Sequence, residues 1–186
     1  TSDVEASVLK DVRLLGEAIA ERGLVLVTEA CSMLPHACAS GVRSRGGQSV
    51  GITPAMSIDE HVSKYKSTAD VFDSLVCVDS DLIAREVTTI SSSDIVIIVG
   101  GRTRAPGEFA ISCVRDKLIG VLNEVGNVSD VIPAMFRHVM KGSHARLFYG
   151  KDPVMLLDRL LSTYVEQHSR KAGGMSNKGI SMSWFN

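Results

Sequence analysis

The chain has 186 residues, of which 45% are apolar and 22% are charged, and its formal net charge is −1. This composition is typical of one globular domain with a full core, and it argues against nucleic-acid binding driven by bulk charge. No apolar run approaches the roughly 20 residues that span a bilayer, and the start does not resemble a signal peptide. We therefore expect neither a nucleic-acid nor a membrane partner.

Apolar periodicity predicts helices that alternate with short buried strands. The predicted helices cover residues 3–22, 34–45, 82–92, 128–140 and 153–168, with one more after Pro106. The predicted strands cover residues 24–28, 49–53, 75–78, 95–99, 118–122 and 147–149, and residues 54–73 are expected to be polar and irregular. This alternation predicts an α/β fold, a Rossmann-like, doubly wound parallel sheet flanked by helices. We expect a single domain over residues 1–168 and a C-terminal tail over residues 169–186.

The segment from Asp94 to Ile111 has the clearest pattern. Residues 95–99 are all β-branched and apolar, which indicates a strand buried on both faces. Gly100 and Gly101 follow at once, and a helix begins after a short polar loop. Strand, glycine turn and helix together direct helix N–H groups at an anion. The sequence therefore predicts an anionic ligand between Gly100 and Glu108.

The N-terminus lacks an expected element. A doubly wound sheet normally begins with a strand whose following loop faces the ligand, but this chain begins on a helix. Truncation or processing of the N-terminus is the simplest explanation. Alternatively, another chain supplies the strand, or the tail returns as a strand, since Ile180, Met182 and Trp184 alternate with serines.

The cysteines and histidines do not suggest a metal site. The cysteines lie in or beside predicted core elements without a zinc-like pairing, and they are Cys31, Cys38, Cys77 and Cys113. We expect them to be reduced and buried, in the cytoplasm or another reducing intracellular compartment. His138 and His144 are far from any Cys or carboxylate cluster. His61 is expected in a loop, where it either covers the site or is solvated.

Two segments follow patterns that occur together in one protein family. Residues 26–55 are similar to the pattern TGGCxGLPxxA…GGxxIGISPA, and residues 93–109 are similar to SDAVIxxGGxxGTxxE. The chain thereby resembles the LOG-like group of Rossmann-type proteins. That group includes cytokinin-activating nucleoside-monophosphate phosphoribohydrolases, proteins once labelled lysine decarboxylases, and molybdenum cofactor carriers. Over residues 1–125, the resemblance implies a nucleotide-like ligand at the carboxyl ends of the strands, and usually a dimer.

The resemblance also implies a catalytic pair, Arg85 and Glu108. In the family the glutamate assists loss of the base from the ribose, and the arginine holds the substrate. The alternatives are a solvated helix residue for Arg85 and a first-turn residue favoured by the helix dipole for Glu108. The implied ligand contacts are Cys31, Ser32, Pro54, Gly100, Gly101, Arg102, Thr103, Arg104 and Gly107. An anionic ligand is expected to contact Arg102 or Arg104.

Both phosphate-facing loops depart from the family pattern. Arg104 and Ala105 stand where the pattern has glycine and threonine, and Pro106 removes an N–H group. Glu29 stands where the first loop has glycine, as do Ala30 and Met33. A carboxylate about 4 Å from a phosphate charge costs roughly 1 kcal/mol in water and about 4 kcal/mol near a protein surface. These changes predict weak or absent phosphoribohydrolase activity.

Three functions remain open from the sequence. The first is a binding protein for a nucleoside-monophosphate-like small molecule, with or without residual phosphoribohydrolase activity. The second is a catalytically degenerate subunit that serves the assembly of a larger complex, and the third, weaker one is a molybdenum cofactor carrier. The sequence names no cofactor of its own. In each case we expect a homodimer or a larger assembly.

Overall fold

A computed structural model describes residues 2–31, 33–101, 104–125, 127–139, 144–172 and 181–185. Helices α1 to α7 cover Ser2–Glu21, Leu34–Ser44, Ile58–Ser63, Leu82–Ser91, Ala105–Val114, Ile132–Val139 and Pro153–Ala172. Strands β1 to β7 cover Val25–Glu29, Gln48–Thr53, Ser74–Cys77, Ile95–Val99, Leu118–Leu122, Arg146–Gly150 and Ser181–Phe185. A short 3-10 helix, Asn127–Asp130, precedes α6.

The strands form one sheet in the order β3-β2-β1-β7-β4-β5-β6, and every pair is parallel. This confirms the predicted α/β, Rossmann-like class. The tail strand β7 lies between β1 and β4, with Met182 opposite Leu26 on one side and Ile95 on the other. The tail thus returns as a strand of the sheet, which is one of the alternatives that the sequence left open. The physical reason is that the backbone N–H and C=O groups of β1 and β4 need partners at the centre of a sheet.

Strand β4 is buried on both faces, as its apolar run predicted. Ile95, Ile97 and Val99 belong to the core between the sheet and helices α1, α2 and α7. Val96 and Ile98 belong to the opposite core, under α4, α5 and α6. Alternate residues of β4 thus pack into the two cores on opposite faces of the sheet. Strand β4 therefore anchors both helical layers near the edge of the sheet where the strand ends.

Helices α1 and α2 cross at a pair of glycines. A Cβ atom on Gly16 would lie 2.1 Å from the carbonyl oxygen of Cys38, and one on Gly41 would lie 2.2 Å from that of Arg13. Side chains at these positions would force the helices apart. The glycines therefore allow backbone contact, which fixes α1 and α2 over β1 and β2.

Residues 54–73, expected to be irregular, contain helix α3. Ser57 Oγ accepts a hydrogen bond from the Glu60 amide at 3.2 Å, and the Glu60 carboxylate accepts one from the Met56 amide at 2.8 Å. The pair Ser57-x-x-Glu60 is a capping-box signal that could have predicted this helix. His61 lies on α3 and is buried, with Nδ1 2.9 Å from Thr53 Oγ1. Its expected place in a covering or solvated loop is therefore wrong.

The cysteines are free thiols, but only Cys38 and Cys113 are buried, whereas Cys31 and Cys77 are partly exposed. The expectation that all of them are buried is thus wrong for two. Within the described part of the chain, no helix is both long enough and apolar enough to cross a bilayer.

Candidate functional site

The candidate site lies at the carboxyl edge of the sheet, around the ends of β1 and β4. In open α/β sheets, ligands bind outside the carboxyl ends of the strands where the strand order reverses. Here the chain builds outward in one direction from β1 and in the other from β4, with β7 between them. Glu29 ends β1, while Arg85 and Arg104 lie at the starts of α4 and α5, which face the same edge.

The glycine turn after β4 adopts the left-handed conformation that its composition indicates. Gly100 has φ 67° and Gly101 has φ 86°, values that other residues rarely adopt. Their carbonyl oxygens accept hydrogen bonds from the amides of Ser129 at 2.9 Å and Val128 at 3.2 Å. The turn is therefore held against the 3-10 helix. Three predicted ligand contacts, Ser32, Arg102 and Thr103, lie outside the described residues.

Glu29 is the centre of a buried charge network. Its carboxylate is 0% exposed and accepts from Arg85 Nη2 at 2.7 Å. Arg104 donates to the same carboxylate through two nitrogens, Nη1 to Oε1 and Nη2 to Oε2, both at 3.1 Å. The two charged departures from the family pattern therefore neutralise each other across the crevice.

Glu86 joins this network, although the sequence analysis did not select it. Its Oε1 accepts from Arg104 Nη1 at 3.0 Å, and its side chain is nearly buried. Burial raises the pKa of Glu86, and the negative charge of Glu29 adds to this, while Arg104 opposes it. The signal that could have identified it is the adjacent pair Arg85-Glu86 at the start of an otherwise apolar-periodic helix.

Glu108 lies in the first turn of α5 and is 0% exposed. Among the described residues, neither of its carboxylate oxygens has a hydrogen-bond partner. One carboxylate oxygen from each of Glu29, Glu86 and Glu108 lies within 4.8 Å of the other two, and we call these three residues the acidic cluster. Burial raises the pKa of Glu108 to about 8, assisted by the charges of Glu29 and Glu86. Glu108 is therefore mostly protonated at pH 7.

Two further groups complete the electrostatics of the site. Burial alone would lower the pKa of Arg104, but the charge of Glu29 and its hydrogen bonds raise it above its ordinary value, so this guanidinium stays charged. The Cys31 thiol donates to Glu29 Oε2 at 3.9 Å. Burial and the charge of Glu29 raise the pKa of Cys31 to about 12. Cys31 is thus a thiol at neutral pH and not a thiolate nucleophile.

The fold brings together Arg85, Glu108, Arg104 and Cys31 from distant parts of the sequence. Arg85 is 4% exposed, so the alternative of a solvated helix residue is wrong. The other described candidates are glycines and a proline, which carry no charged side chain. Pro54 is buried after β2, where its carbonyl accepts from the Ser80 amide at 3.1 Å, and Gly107 is exposed in the first turn of α5.

Comparison with known proteins gives one family match and a shared fold. The model of the SLOG cluster4 family matches residues 1–169. An uncharacterised protein of Archaeoglobus fulgidus is 33% identical over 108 residues, which make up 58% of this chain and 66% of that protein. The match therefore spans just under two thirds of the relative's length.

Solved structures of similar fold include a molybdenum cofactor binding protein from Rippkaea orientalis, with a TM-score of 0.69 and 22% identity over 85% of this chain and 88% of that one. The molybdenum cofactor carrier protein of Chlamydomonas reinhardtii gives a TM-score of 0.60 and 19% identity over 84% and 89% of the two chains. The structural-genomics protein TM1055 gives a TM-score of 0.69 and 17% identity over 83% of this chain and 89% of that one. At these identities the likeness shows the fold alone.

Proposed function

The chain belongs to the SLOG cluster4 family, and we propose on that premise that it binds a nucleotide-derived small molecule at the carboxyl edge of its sheet. The observation that carries the proposal is the buried Glu108 carboxyl group, whose oxygens have no partner among the described residues. Leaving a buried polar group unpaired costs roughly 1–3 kcal/mol. A ligand that brings hydroxyl groups recovers this free energy on binding.

Ribose hydroxyls suit Glu108 in either protonation state, because a hydroxyl both donates and accepts hydrogen bonds. Arg85 Nε–H is also buried and without a partner in the described part of the chain. A ligand with acceptor and donor groups close together, such as a nucleoside, can satisfy both side chains. This complementarity supports a sugar-containing ligand over a purely apolar one.

We further propose that the bound ligand undergoes little or no hydrolysis. Cleavage of an N-glycosidic bond builds positive charge on the ribose, which an ionised carboxylate stabilises. Glu108 holds its proton near neutral pH, because burial and the neighbouring carboxylates raise its pKa to about 8. Arg85 is already paired with Glu29 at 2.7 Å and so is not free to hold a phosphate through that nitrogen.

A second candidate function, an assembly subunit without a ligand, is favoured by one observation. Arg104 bridges Glu29 and Glu86 at 3.0–3.1 Å, so ion pairs within the chain occupy part of the crevice. In that case the buried charges serve only the fold. The two functions differ in whether the purified protein holds a small molecule.

Mass spectrometry of small molecules released from the purified, denatured protein tests the proposal directly. Calorimetric titration of AMP then compares wild type with Glu108→Ala and Arg102→Ala. Glu21→Gln, at the opposite edge of the sheet, is the matched control. We expect a nucleotide-like compound or AMP binding, weakened about tenfold or more by Glu108→Ala and unchanged in the control.

Each remaining outcome points to a different function. No released compound and no AMP binding would favour the assembly subunit. A released molybdopterin would favour a carrier. Equal binding by wild type and Arg102→Ala would exclude that contact. Rapid release of adenine from AMP, lost in Glu108→Ala, would contradict the proposed lack of turnover.

A further inference from the structure

We propose that Glu29, Glu86 and Glu108 form a binding site for a divalent cation of the Ca²⁺ or Mn²⁺ kind, at the position that the Arg104 guanidinium occupies in this structure. The acidic cluster combines carboxylates from β1, α4 and α5 at one point of the carboxyl edge. Carboxylate oxygens are the ligands that such hard cations prefer.

The spacing of the cluster fits one coordination sphere. One ligand oxygen from each carboxylate lies within 4.8 Å of the other two. Two oxygens on the same cation are separated by at most twice the metal–oxygen distance, which is about 5 Å for Ca²⁺ and about 4 Å for Mg²⁺. Three oxygens within 4.8 Å of one another lie within about 2.8 Å of a common point, so a contraction of a few tenths of an ångström brings them to the Ca²⁺–oxygen distance of roughly 2.3–2.6 Å, and a smaller ion requires a larger contraction.

Glu108 is the independent observation that points to a ligand. It is 0% exposed, and its oxygens have no hydrogen-bond partner among the described residues, yet they face the other two carboxylates. Hydrogen bonds from Arg104 reach Glu29 and Glu86 but not Glu108. An ionised carboxylate at a buried position is costly unless a counter-charge is bound to it, so Glu108 gives up its proton there only when a cation binds. A cation among the three carboxylates supplies that counter-charge.

The Arg104 guanidinium occupies the proposed cation position, and its side chain is exposed enough to move into solvent. Its Nη1 lies between Glu29 Oε1 at 3.1 Å and Glu86 Oε1 at 3.0 Å. Its side chain is 36% exposed, whereas that of Arg85 is 5% exposed and remains with Glu29. Once Arg104 moves away and Glu108 releases its proton, the three carboxylates and Arg85 leave two uncompensated negative charges, which one divalent cation neutralises, so cation binding releases a proton. Arg104 and the cation thus compete for the same oxygens.

A bound cation also changes which ligands the crevice accepts. Glu29 repels a phosphate, but a cation held by Glu29 attracts it, as metal ions bridge carboxylates and phosphates elsewhere. This consequence rests on the proposed function, because it requires a phosphate-bearing ligand. The cation site itself does not.

Electron paramagnetic resonance of Mn²⁺ tests the site without any nucleotide, because bound Mn²⁺ loses the sharp signal of the free ion. We expect wild type to bind Mn²⁺ weakly, with Ca²⁺ displacing it. Arg104→Met should bind about tenfold more tightly, because the competing guanidinium is gone. Glu86→Gln and Glu108→Gln should each weaken binding about tenfold or more, whereas Glu21→Gln should not. Circular dichroism confirms that each variant is folded, and Arg104→Gln replaces Arg104→Met if the latter is not.

Absence of Mn²⁺ binding in both wild type and the folded Arg104 variant would overturn the site. Binding that survives Glu108→Gln and Glu86→Gln would do the same, because the ion would then lie elsewhere. AMP titrations with EDTA and with Mn²⁺ separate the two proposals. AMP binding with the same affinity in EDTA and in Mn²⁺ would support the proposed function but contradict the bridging role of the cation. Mn²⁺ binding without any AMP binding would support the cation site but contradict the proposed function.

Discussion

The replacement Glu108→Gln should remove a pH dependence of stability that originates in one buried carboxyl group. The pKa of Glu108 is about 8 in the folded chain against an ordinary value of 4.5. Between these values the folded state keeps a proton that the unfolded state has released. The free energy of unfolding therefore falls as pH rises from about 4.5 to about 8, and it is highest below that window. Glutamine has nearly the same shape and does not titrate.

The size of the stability change follows from the difference between the folded and unfolded pKa values of Glu108. A group that is protonated only when folded changes stability by about 1.4 kcal/mol per pH unit. Between about pH 5.5 and pH 7.5, wild type should lose roughly 2–3 kcal/mol relative to Glu108→Gln.

Urea unfolding in EDTA at these two pH values measures the effect. Glu21→Gln is the matched control, because Glu21 is exposed and pairs with Arg45 at the surface. Its stability should follow wild type in parallel. If wild type and Glu108→Gln also changed in parallel, the buried carboxyl group would not be protonated as argued, and the case against hydrolysis would fail with it.

Further predictions concern packing, the tail, the ion pairs and association. Gly41→Ala should lower stability by about 1–3 kcal/mol in thermal unfolding, because its Cβ would meet a carbonyl oxygen of α1 at 2.2 Å, whereas Gly107→Ala, with nothing within 4 Å, should be nearly neutral. Equal losses would contradict the glycine contact. A chain ending at Lys171 lacks the central strand β7 and should show no cooperative unfolding by circular dichroism; a native-like transition would refute this. In a double-mutant cycle measured by urea unfolding, the stability losses of Glu29→Gln and Arg104→Met should deviate from additivity by about 0.5–3 kcal/mol. Additive losses would contradict the pairing of Glu29 with Arg104. Light scattering should show a dimer or larger assembly, because apolar side chains on α3 and α4 are exposed in the single chain. A monomer would contradict the expected association.

Local signals in the sequence were sufficient for most of the architecture. The run from Ile95 to Val99 identified a strand buried on both faces, and Gly100-Gly101 identified a left-handed turn. These features depend on neighbouring residues only, through side-chain burial and backbone conformation. Helix α3, which was not predicted, carries such a signal too, because Ser57 and Glu60 have the spacing of a capping box.

The sequence by itself thus determined the α/β class, whereas the ligand-binding edge and the roles of Arg85 and Glu108 stay predictions. The tertiary structure decided two other features. It placed β7 between β1 and β4, a pairing of segments more than a hundred residues apart that no local periodicity specifies. It also paired Glu29 with Arg104 across 75 positions, so that two charged departures from the family pattern became one ion pair. Such pairings arise from spatial proximity of charges and strand edges, and proximity exists only once the chain has folded.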